Sequence, residues 1–264
     1  MNLEILHNPP SETAGSRTPI LFVHGSYTTA SIWAGRFMPY FADKGYPSYA
    51  LSLRGHGASE GILSWASLAD YVEDVVAAMA QLDTPPILIG HAMGGLVIQH
   101  LLAGHTVKAA VLLATVPPSG LGSSAMHMSM FAPDVLWQLG LLQSLGPDAV
   151  SPEVMARALL SPEGGAEPAR RLLPLLQRES PRVAAELLAP SQPLPPRGAA
   201  KPPILVLGGD ADVFLPVAAF RETATFFNAD LQILQGAPHA LMIDELWWRP
   251  AADAIFSWLK KKNL

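Results

Sequence analysis

Residues 90–95 read Gly90-His91-Ala92-Met93-Gly94-Gly95, and they join two apolar segments of different kinds. The segment before them, 87–89, is a short continuous apolar run that predicts a buried strand. The longer segment after them, 96–102, predicts a helix. A chain that passes from strand to helix so quickly must turn sharply, and glycines on either side let the two backbones approach closely. The stretch therefore predicts a strand, a tight turn and a helix, with Ala92 at the tip of the turn.

A turn of this kind is the setting of a nucleophile elbow, in which the residue at the tip carries the attacking side chain. The residues two before and two after the tip must be small, which Gly90 and Gly94 satisfy. The tip itself does not fit, because Ala92 has no Oγ where a serine is expected. The sequence thus predicts the geometry of a nucleophilic site without its attacking atom.

Other short apolar runs predict further strands, at 20–23, 46–53, 109–114, 204–207 and 231–234, with a possible edge strand at 3–6. Helical spacing is found over 68–82, after the candidate cap Ser67. A C-terminal helix is predicted to begin near Pro250. Strands that alternate with helices favour an α/β fold, in which helices flank a mostly parallel central sheet.

The composition changes at residue 117. From there to residue 201 the chain holds patches rich in Leu, Ala and Met, broken repeatedly by proline, and it contains no convincing strand. We interpret 117–201 as a helical cap inserted into the fold. The core is then formed by residues 1–116 and 202–264.

The overall composition excludes several classes of function. A 264-residue chain with 50% hydrophobic residues and a net charge of −5 offers no basic surface for nucleic acid. The chain has no cysteine, which excludes disulfides and thiolate catalysis. It has no leader-like N-terminus and no apolar run of about 20 residues, so we expect a cytoplasmic protein without stable membrane insertion. No histidine pair has metal-ligand spacing, so neither a metal nor another cofactor is expected.

Four loops that follow predicted strands carry polar residues, and ligands of open α/β sheets bind beyond such strand ends. They lie at 24–29, 90–95, 208–216 and 236–240. With the Arg-Gly-His-Gly-Ala-Ser motif at 54–59, they make the chain resemble the α/β-hydrolase family over essentially its whole length. Within that family it is similar to capped esterases, lipases and lactonases, whose elbow usually reads Gly-His-Ser-Met-Gly-Gly.

The order of elbow, acid and histidine along the chain matches the hydrolase triad. His239 follows the last strand and is the candidate general base. Asp210 and Asp212 are both candidates for the acid that orients it. Family members place the acid four residues before a proline, and this resemblance favours Asp212, since Pro216 follows at that distance. Asp210 is then a turn residue.

The resemblance also assigns an oxyanion hole to the backbone N–H groups of Ser26 and Met93. Tyr27, in the same loop as Ser26, is a candidate contact to substrate. In the cap, Met126, Met128, Phe131 and Leu136 belong to a flexible apolar set with two further candidate substrate contacts, Met130 and Trp137. This set predicts a substrate with an apolar portion. His24 and His56 lie in glycine loops and are interpreted as structural.

The pattern supports three functional hypotheses. The first is a hydrolase of carboxylic esters or lactones that acts through a Ser-His-Asp acyl-enzyme, here inactivated because alanine replaces the serine at position 92. The second is a natural pseudo-enzyme that binds a ligand without turnover. The third is base chemistry by the His–Asp pair alone, as in the cofactor-free oxygenases of the resembled family. The sequence gives no indication of an oligomeric state.

Overall fold

A computed structural model describes residues 1–11, 17–162, 172–196 and 201–264. A seven-stranded sheet forms the centre of the molecule, in the order β1-β3-β2-β4-β5-β6-β7. Only β1 runs antiparallel to its neighbour, and the other pairs are parallel. The strands are Ile5–Asn8 (β1), Ile20–Val23 (β2), Ser48–Leu51 (β3), Ile87–His91 (β4), Ala109–Leu113 (β5), Ile204–Gly209 (β6) and Asp230–Leu234 (β7).

Helices cover the sheet and also form most of the described part of the segment between β5 and β6. In the described parts of the chain they are Ser31–Ala34 (α1), Phe37–Asp43 (α2), Leu68–Met79 (α3), Met93–Leu101 (α4), Gly122–Phe131 (α5), Pro133–Leu145 (α6), Pro152–Leu159 (α7), Pro181–Leu188 (α8), Val217–Phe227 (α9) and Trp248–Lys261 (α10). This arrangement confirms the prediction of a mostly parallel sheet flanked by helices.

The central strands form the core because helices cover both of their faces. Every residue of β2, β4, β5 and β6 is buried, as their continuous apolar runs predict. The register pairs Val23 with Gly90, and Gly90 with Leu112. The carboxyl ends of three neighbouring strands therefore reach the same edge of the sheet, directly beside the turn at Ala92.

Several element boundaries differ from those expected from the sequence. The sequence predicts a strand over 46–53, whereas β3 begins at Ser48, directly after Pro47, which has no N–H for a ladder. The predicted edge strand at 3–6 is displaced to Ile5–Asn8, where the His7 ring stacks on Tyr49 of β3 at 4.3 Å between ring centroids. The C-terminal helix begins at Trp248, so Pro250 lies within its first turn.

The predicted cap, residues 117–201, lies between β5 and β6 and is called the cap below. Its described residues form α5, α6, α7 and α8 and two short 3-10 helices, Pro147–Ala149 and Leu173–Leu175, and they include no strand. The cap has apolar clusters of its own: Leu142, Val150, Met155, Leu172 and Leu176 pack together, as do Met128, Val135 and Ala158. None of the helices within the described ranges has the length and apolar character that crossing a membrane requires.

Candidate active site

The turn after β4 holds Ala92 in a backbone conformation that alanine rarely adopts, with φ 47° and ψ −111°. Such a conformation costs on the order of 1–3 kcal/mol and persists only when the surroundings impose it. Here the Ala92 N–H donates to the Leu113 carbonyl at 3.0 Å, and the Ala92 carbonyl accepts from Gly95 at 3.1 Å and Val116 at 3.2 Å. The turn is therefore held by its backbone and not by the side chain at its tip.

The two glycines around the tip are required by close backbone contacts. A Cβ on Gly90 would lie 2.5 Å from the carbonyl oxygen of Gly94. A Cβ on Gly94 would overlap the carbonyl oxygens of Val23 and His24 at the end of β2. Any larger residue at either position would push the start of α4 away from the strands, because backbone cannot move aside as a flexible side chain does.

A buried acid and a buried histidine lie beside the turn. The Nδ1 atom of His239 lies 2.7 Å from Oδ2 of Asp212, and both side chains are buried. The other carboxylate oxygen, Oδ1, accepts from the backbone N–H groups of Phe214 and Leu215 at 2.9 Å each. Because an ionised carboxylate can only accept, the Nδ1 atom carries the proton and the Nε2 atom is left as the acceptor.

The neighbouring carboxylates have other partners. Asp210 is exposed, and its Oδ1 accepts from the backbone N–H of Gly236 at 2.6 Å, as a turn residue does. Asp244 is buried and accepts from the backbone and hydroxyl of Ser161 and from the N–H groups of Leu246 and Trp247. The geometry therefore places Asp212, and neither of these two, beside His239.

Ser26 and Met93, the residues to which the resemblance assigns an oxyanion hole, line the same cavity as Ala92 and His239. The hydroxyl of Ser26 donates to Sδ of Met93 at 3.2 Å, which joins the loop after β2 to the start of α4. Within the described ranges, neither of the two backbone N–H groups has a hydrogen-bond acceptor. Both are thus free to donate to a ligand oxygen, and the assignment of an oxyanion hole stays a prediction.

A cavity of about 340 Å³ lies between the carboxyl edge of the sheet and the cap. The core contributes the few polar groups, chiefly Ser26, Tyr27 and His239. The cap contributes an apolar wall that includes Ala125, Met128, Leu136, Leu139, Leu142 and Met155. A small number of polar groups facing a large apolar wall is the usual composition of a site for a small molecule with an apolar portion.

Tyr27 connects the loop after β2 to the cap and lines the cavity, as expected for a candidate substrate contact. Its hydroxyl donates to Oε1 of Gln143 on α6 at 2.6 Å, and its carbonyl accepts from the N–H of Gln177 at 2.6 Å. Its φ of 63° is in the left-handed region, which few side chains of this size adopt. The cap therefore holds the residue next to Ser26 in place.

Met130 and Trp137, the two predicted substrate contacts of the cap, do not line the cavity, and their side chains are 64% and 68% exposed. Contact with substrate outside the cavity stays a prediction for both. Met126 and Phe131 are likewise exposed, whereas Met128 and Leu136 of the same apolar set do line the cavity. The reason is that α5 and α6 carry apolar residues on all sides, so their composition does not indicate which face turns inward.

Three further histidines surround the site, and each has a local partner. In His24 the Nδ1–H donates to the Gly25 carbonyl at 2.8 Å and Nε2 accepts from the Leu53 N–H at 3.0 Å, which supports the structural interpretation. Burial, with a smaller effect of His56, lowers the pKa of His24 to about 3. Nε2 of His91 lies 3.2 Å from the carbonyl oxygen of His239, and burial lowers the pKa of His91 well below its usual value.

His56 is paired with a cap residue that the sequence did not indicate. Its Nε2 atom lies 3.6 Å from Oε2 of Glu179, and both side chains are fully buried. The other oxygen of Glu179 accepts from the Tyr71 hydroxyl at 2.6 Å and from the Ser180 N–H at 2.7 Å. These contacts join the cap to the core. More than 100 residues separate Glu179 from His56 and Tyr71 along the chain, which is why the sequence does not reveal them.

The described residues contain no group of three or more His, Asp or Glu side chains placed to hold a metal ion. The chemistry that the arrangement offers is instead that of a hydrogen-bonded acid and base beside a strained turn, with two free backbone donors and an apolar cavity.

The fold and the order of these groups define the class of protein. The model of the alpha/beta hydrolase family matches residues 20–252, and the chain belongs to this family. This confirms the resemblance noted in the sequence.

Individual relatives have low sequence identity to this chain. A monoacylglycerol lipase of Mycolicibacterium smegmatis is 28% identical over 236 residues, which are 83% of this chain and 80% of the relative. A non-heme haloperoxidase of Rhodococcus erythropolis is 32% identical over 108 residues, 39% of each chain. Among solved structures, a thermophilic esterase from Thermogutta terrifontis superposes with a TM-score of 0.73 at 19% identity, over 98% of this chain and 94% of the esterase. At that identity the superposition shows a shared fold alone.

Proposed function

We propose that this chain has the active site of a carboxylic ester or lactone hydrolase and that, with alanine at position 92, it binds its ester without hydrolysing it. One observation carries the proposal. Ala92 is held at φ 47° in the same cavity as His239, and Nδ1 of His239 lies 2.7 Å from Oδ2 of Asp212. A conformation this costly is needed where a nucleophile must be presented at the tip of a turn, and nothing in alanine itself favours it.

In the proposed mechanism a serine at position 92 attacks the ester carbonyl. His239 accepts the serine proton at Nε2 and passes it to the departing alcohol, so an acyl-serine forms and the ester C–O bond breaks. Water then attacks the acyl-serine with His239 again as base, which releases the acid. Asp212 fixes the tautomer of His239 and stabilises its charged form, while the N–H groups of Ser26 and Met93 stabilise the oxyanion.

The composition of the cavity supports a substrate with an apolar portion. The carbonyl would lie at the polar edge formed by Ser26, Met93 and His239, and the hydrocarbon part against the apolar wall of the cap. The names of the relatives are in line with this proposal, since they include a monoacylglycerol lipase and an esterase.

Without an Oγ at position 92 the acyl-serine cannot form, which favours ligand binding as the property of the chain as written. The Asp212–His239 pair keeps its base geometry regardless of residue 92. Base chemistry on a bound ligand is therefore the alternative to which a failure of the ester experiment would lead.

The experiment is the substitution Ala92→Ser, assayed on short aryl esters together with the parent chain. Loss of a catalytic serine costs on the order of 10⁶ in turnover, so the gain should be evident above background. Ala125→Ser is a matched control, because it adds the same hydroxyl to the same cavity from α5 of the cap and not from the turn after β4. A serine-92 protein that folds, hydrolyses no ester and does not react with a serine-directed phosphonate would refute the proposal.

A further inference from the structure

Gly140 occupies a position in α6 where nothing in the fold requires a glycine. It lies inside the helix Pro133–Leu145, well away from either end. Its φ is not in the left-handed region, and a Cβ built on it would have no neighbour within 4 Å. It therefore lacks both reasons that account for the other glycines of the site, while a glycine inside a helix lowers stability relative to alanine.

The open space around Gly140 lies at the edge of the cavity. Gly140 lines the cavity and is also exposed. On the surface of a helix its neighbours are the residues three and four positions before it. Leu136 is one of the lining residues, whereas Trp137 is 68% exposed. Gly140 thus lies where the inner face of α6 meets its outer face, at the rim of the cavity.

We infer that Gly140 determines specificity by leaving a notch in the rim, through which the hydrocarbon chain of a long-chain acyl substrate extends out of the cavity. The bare backbone at Gly140 leaves room for the chain. Leu136 on the inner side and the exposed ring of Trp137 on the outer side give it apolar contacts. A cavity of about 340 Å³ lies near the lower end of the range for ligand sites, so a long chain needs such an exit.

The inference rests on the proposed ester-binding function of the cavity, and its test is designed to be separable from it. The Ala92 protein is titrated with methyl esters of octanoic to hexadecanoic acid and, in parallel, with straight-chain alkanols from hexanol to dodecanol. The alkanols contain no ester, so their binding reports on the chain path even if Ala92→Ser shows no hydrolysis. The variants are Gly140→Leu and the control Gly104→Leu, since Gly104 also has open space around it but does not line the cavity.

For Gly140→Leu we expect the Kd of the longest chains to rise on the order of tenfold, which corresponds to about two methylene groups denied apolar contact. The shortest chains should change by less than about twofold, and Gly104→Leu should follow the parent at every length. An equal change at all lengths, no change at any length, or a parent protein whose affinity for alkanols does not depend on length would overturn the inference.

Gly140→Ala keeps the test valid if the leucine variant does not fold. Alanine should raise the Tm by about 2 °C, because it removes the helix penalty of glycine where no neighbour is crowded. It should also weaken the binding of the longest chains two- to threefold. A lower Tm, or unchanged binding of the longest chains, would contradict the notch.

Discussion

The two walls of the cavity were built in different ways. The core wall is formed at the ends of the strands. There the register of the strands and the close backbone contacts of the glycines fix the direction of each side chain. The cap wall includes helices that carry apolar residues on all sides, such as α5, where Met128 lines the cavity and Met130 is 64% exposed. The sheet therefore fixes the positions of the polar groups of the site. The rotation of each cap helix about its axis decides which apolar side chains line the cavity, and composition alone does not reveal that rotation.

The largest expected difference concerns the acid of the core wall. In a serine-92 protein, Asp212→Asn should lower kcat by about 10⁴, because it removes the charge that stabilises protonated His239 and favours the wrong tautomer. Asp210→Asn should lower kcat less than about fivefold, since the Asp210 carboxylate accepts from the Gly236 backbone and has no bond to His239 within the described ranges. Ester kinetics on both variants measure the ratio, and a reversed order would show that the wrong carboxylate was assigned.

The two walls should respond with opposite sign to the same glycine-to-alanine change. Gly94→Ala should lower the free energy of unfolding by about 3 kcal/mol or prevent folding, because the added Cβ overlaps the carbonyls at the end of β2. Gly140→Ala in the cap should raise it by about 0.5–1 kcal/mol. Urea denaturation of both variants measures the difference, and a stable Gly94→Ala protein would mean that the turn is less tightly held than its contacts indicate.

Within the cap wall, neighbouring methionines separate the inner from the outer face. Met128→Ala should cost about 2–4 kcal/mol, because the side chain is 4% exposed and packs against Val135 and Ala158. Met130→Ala should change stability by less than about 0.5 kcal/mol. If the two variants lose equal stability by urea denaturation, the rotation assigned to α5 is wrong.

The smallest effect is a pH dependence that arises on the core side. Burial lowers the pKa of His24 to about 3, so the unfolded chain takes up this proton first as the pH falls. The contribution of His24 to the free energy of unfolding is complete above about pH 6.5, the pKa of a histidine in the unfolded chain. Below that pH the contribution falls by about 1.4 kcal/mol per pH unit, until the pH reaches the pKa of His24 in the folded state. His24 should therefore cost about 2 kcal/mol between pH 7 and pH 5.

The measurement is the free energy of unfolding at both pH values, for the parent chain and for His24→Gln. The variant has a lower stability at pH 7, because it alters the bonds to Gly25 and Leu53, but its fall between the two pH values should be smaller by about 2 kcal/mol. Equal falls in the two proteins would show that His24 is accessible to protons in the folded state.

Sequence reasoning was successful where a short stretch determines its own geometry. The apolar runs before Ala92, Asp212 and His239 predict strands, and parallel strands bring their carboxyl ends to one edge, which is why the three residues lie near one another in the fold. The choice of Asp212 over Asp210 needed the resemblance to family members that place the acid four residues before a proline, because either aspartate fits the loop.

The features that the sequence does not predict depend on contacts between segments that are far apart along the chain. Nothing near Glu179 in the sequence indicates that it pairs with His56 and Tyr71, since the contact requires the cap to be folded onto the core. The outward orientation of Met130 and Trp137 is hidden from the sequence for the same reason. An apolar helix turns toward the cavity whichever side packs best, and that side is decided by partners that lie far away along the chain.

The backbone bonds of Ala92 have a consequence for how this protein can change. Because Leu113, Gly95 and Val116 hold the turn, and none of them bonds to a side chain at position 92, the fold has no use for the missing oxygen. The side chain at this residue can therefore change without loosening the turn. Under the proposed function, a single nucleotide change between an alanine and a serine codon would convert a ligand-binding protein into a catalyst, or the reverse, at little cost to the native state, so selection could act on binding and on catalysis separately.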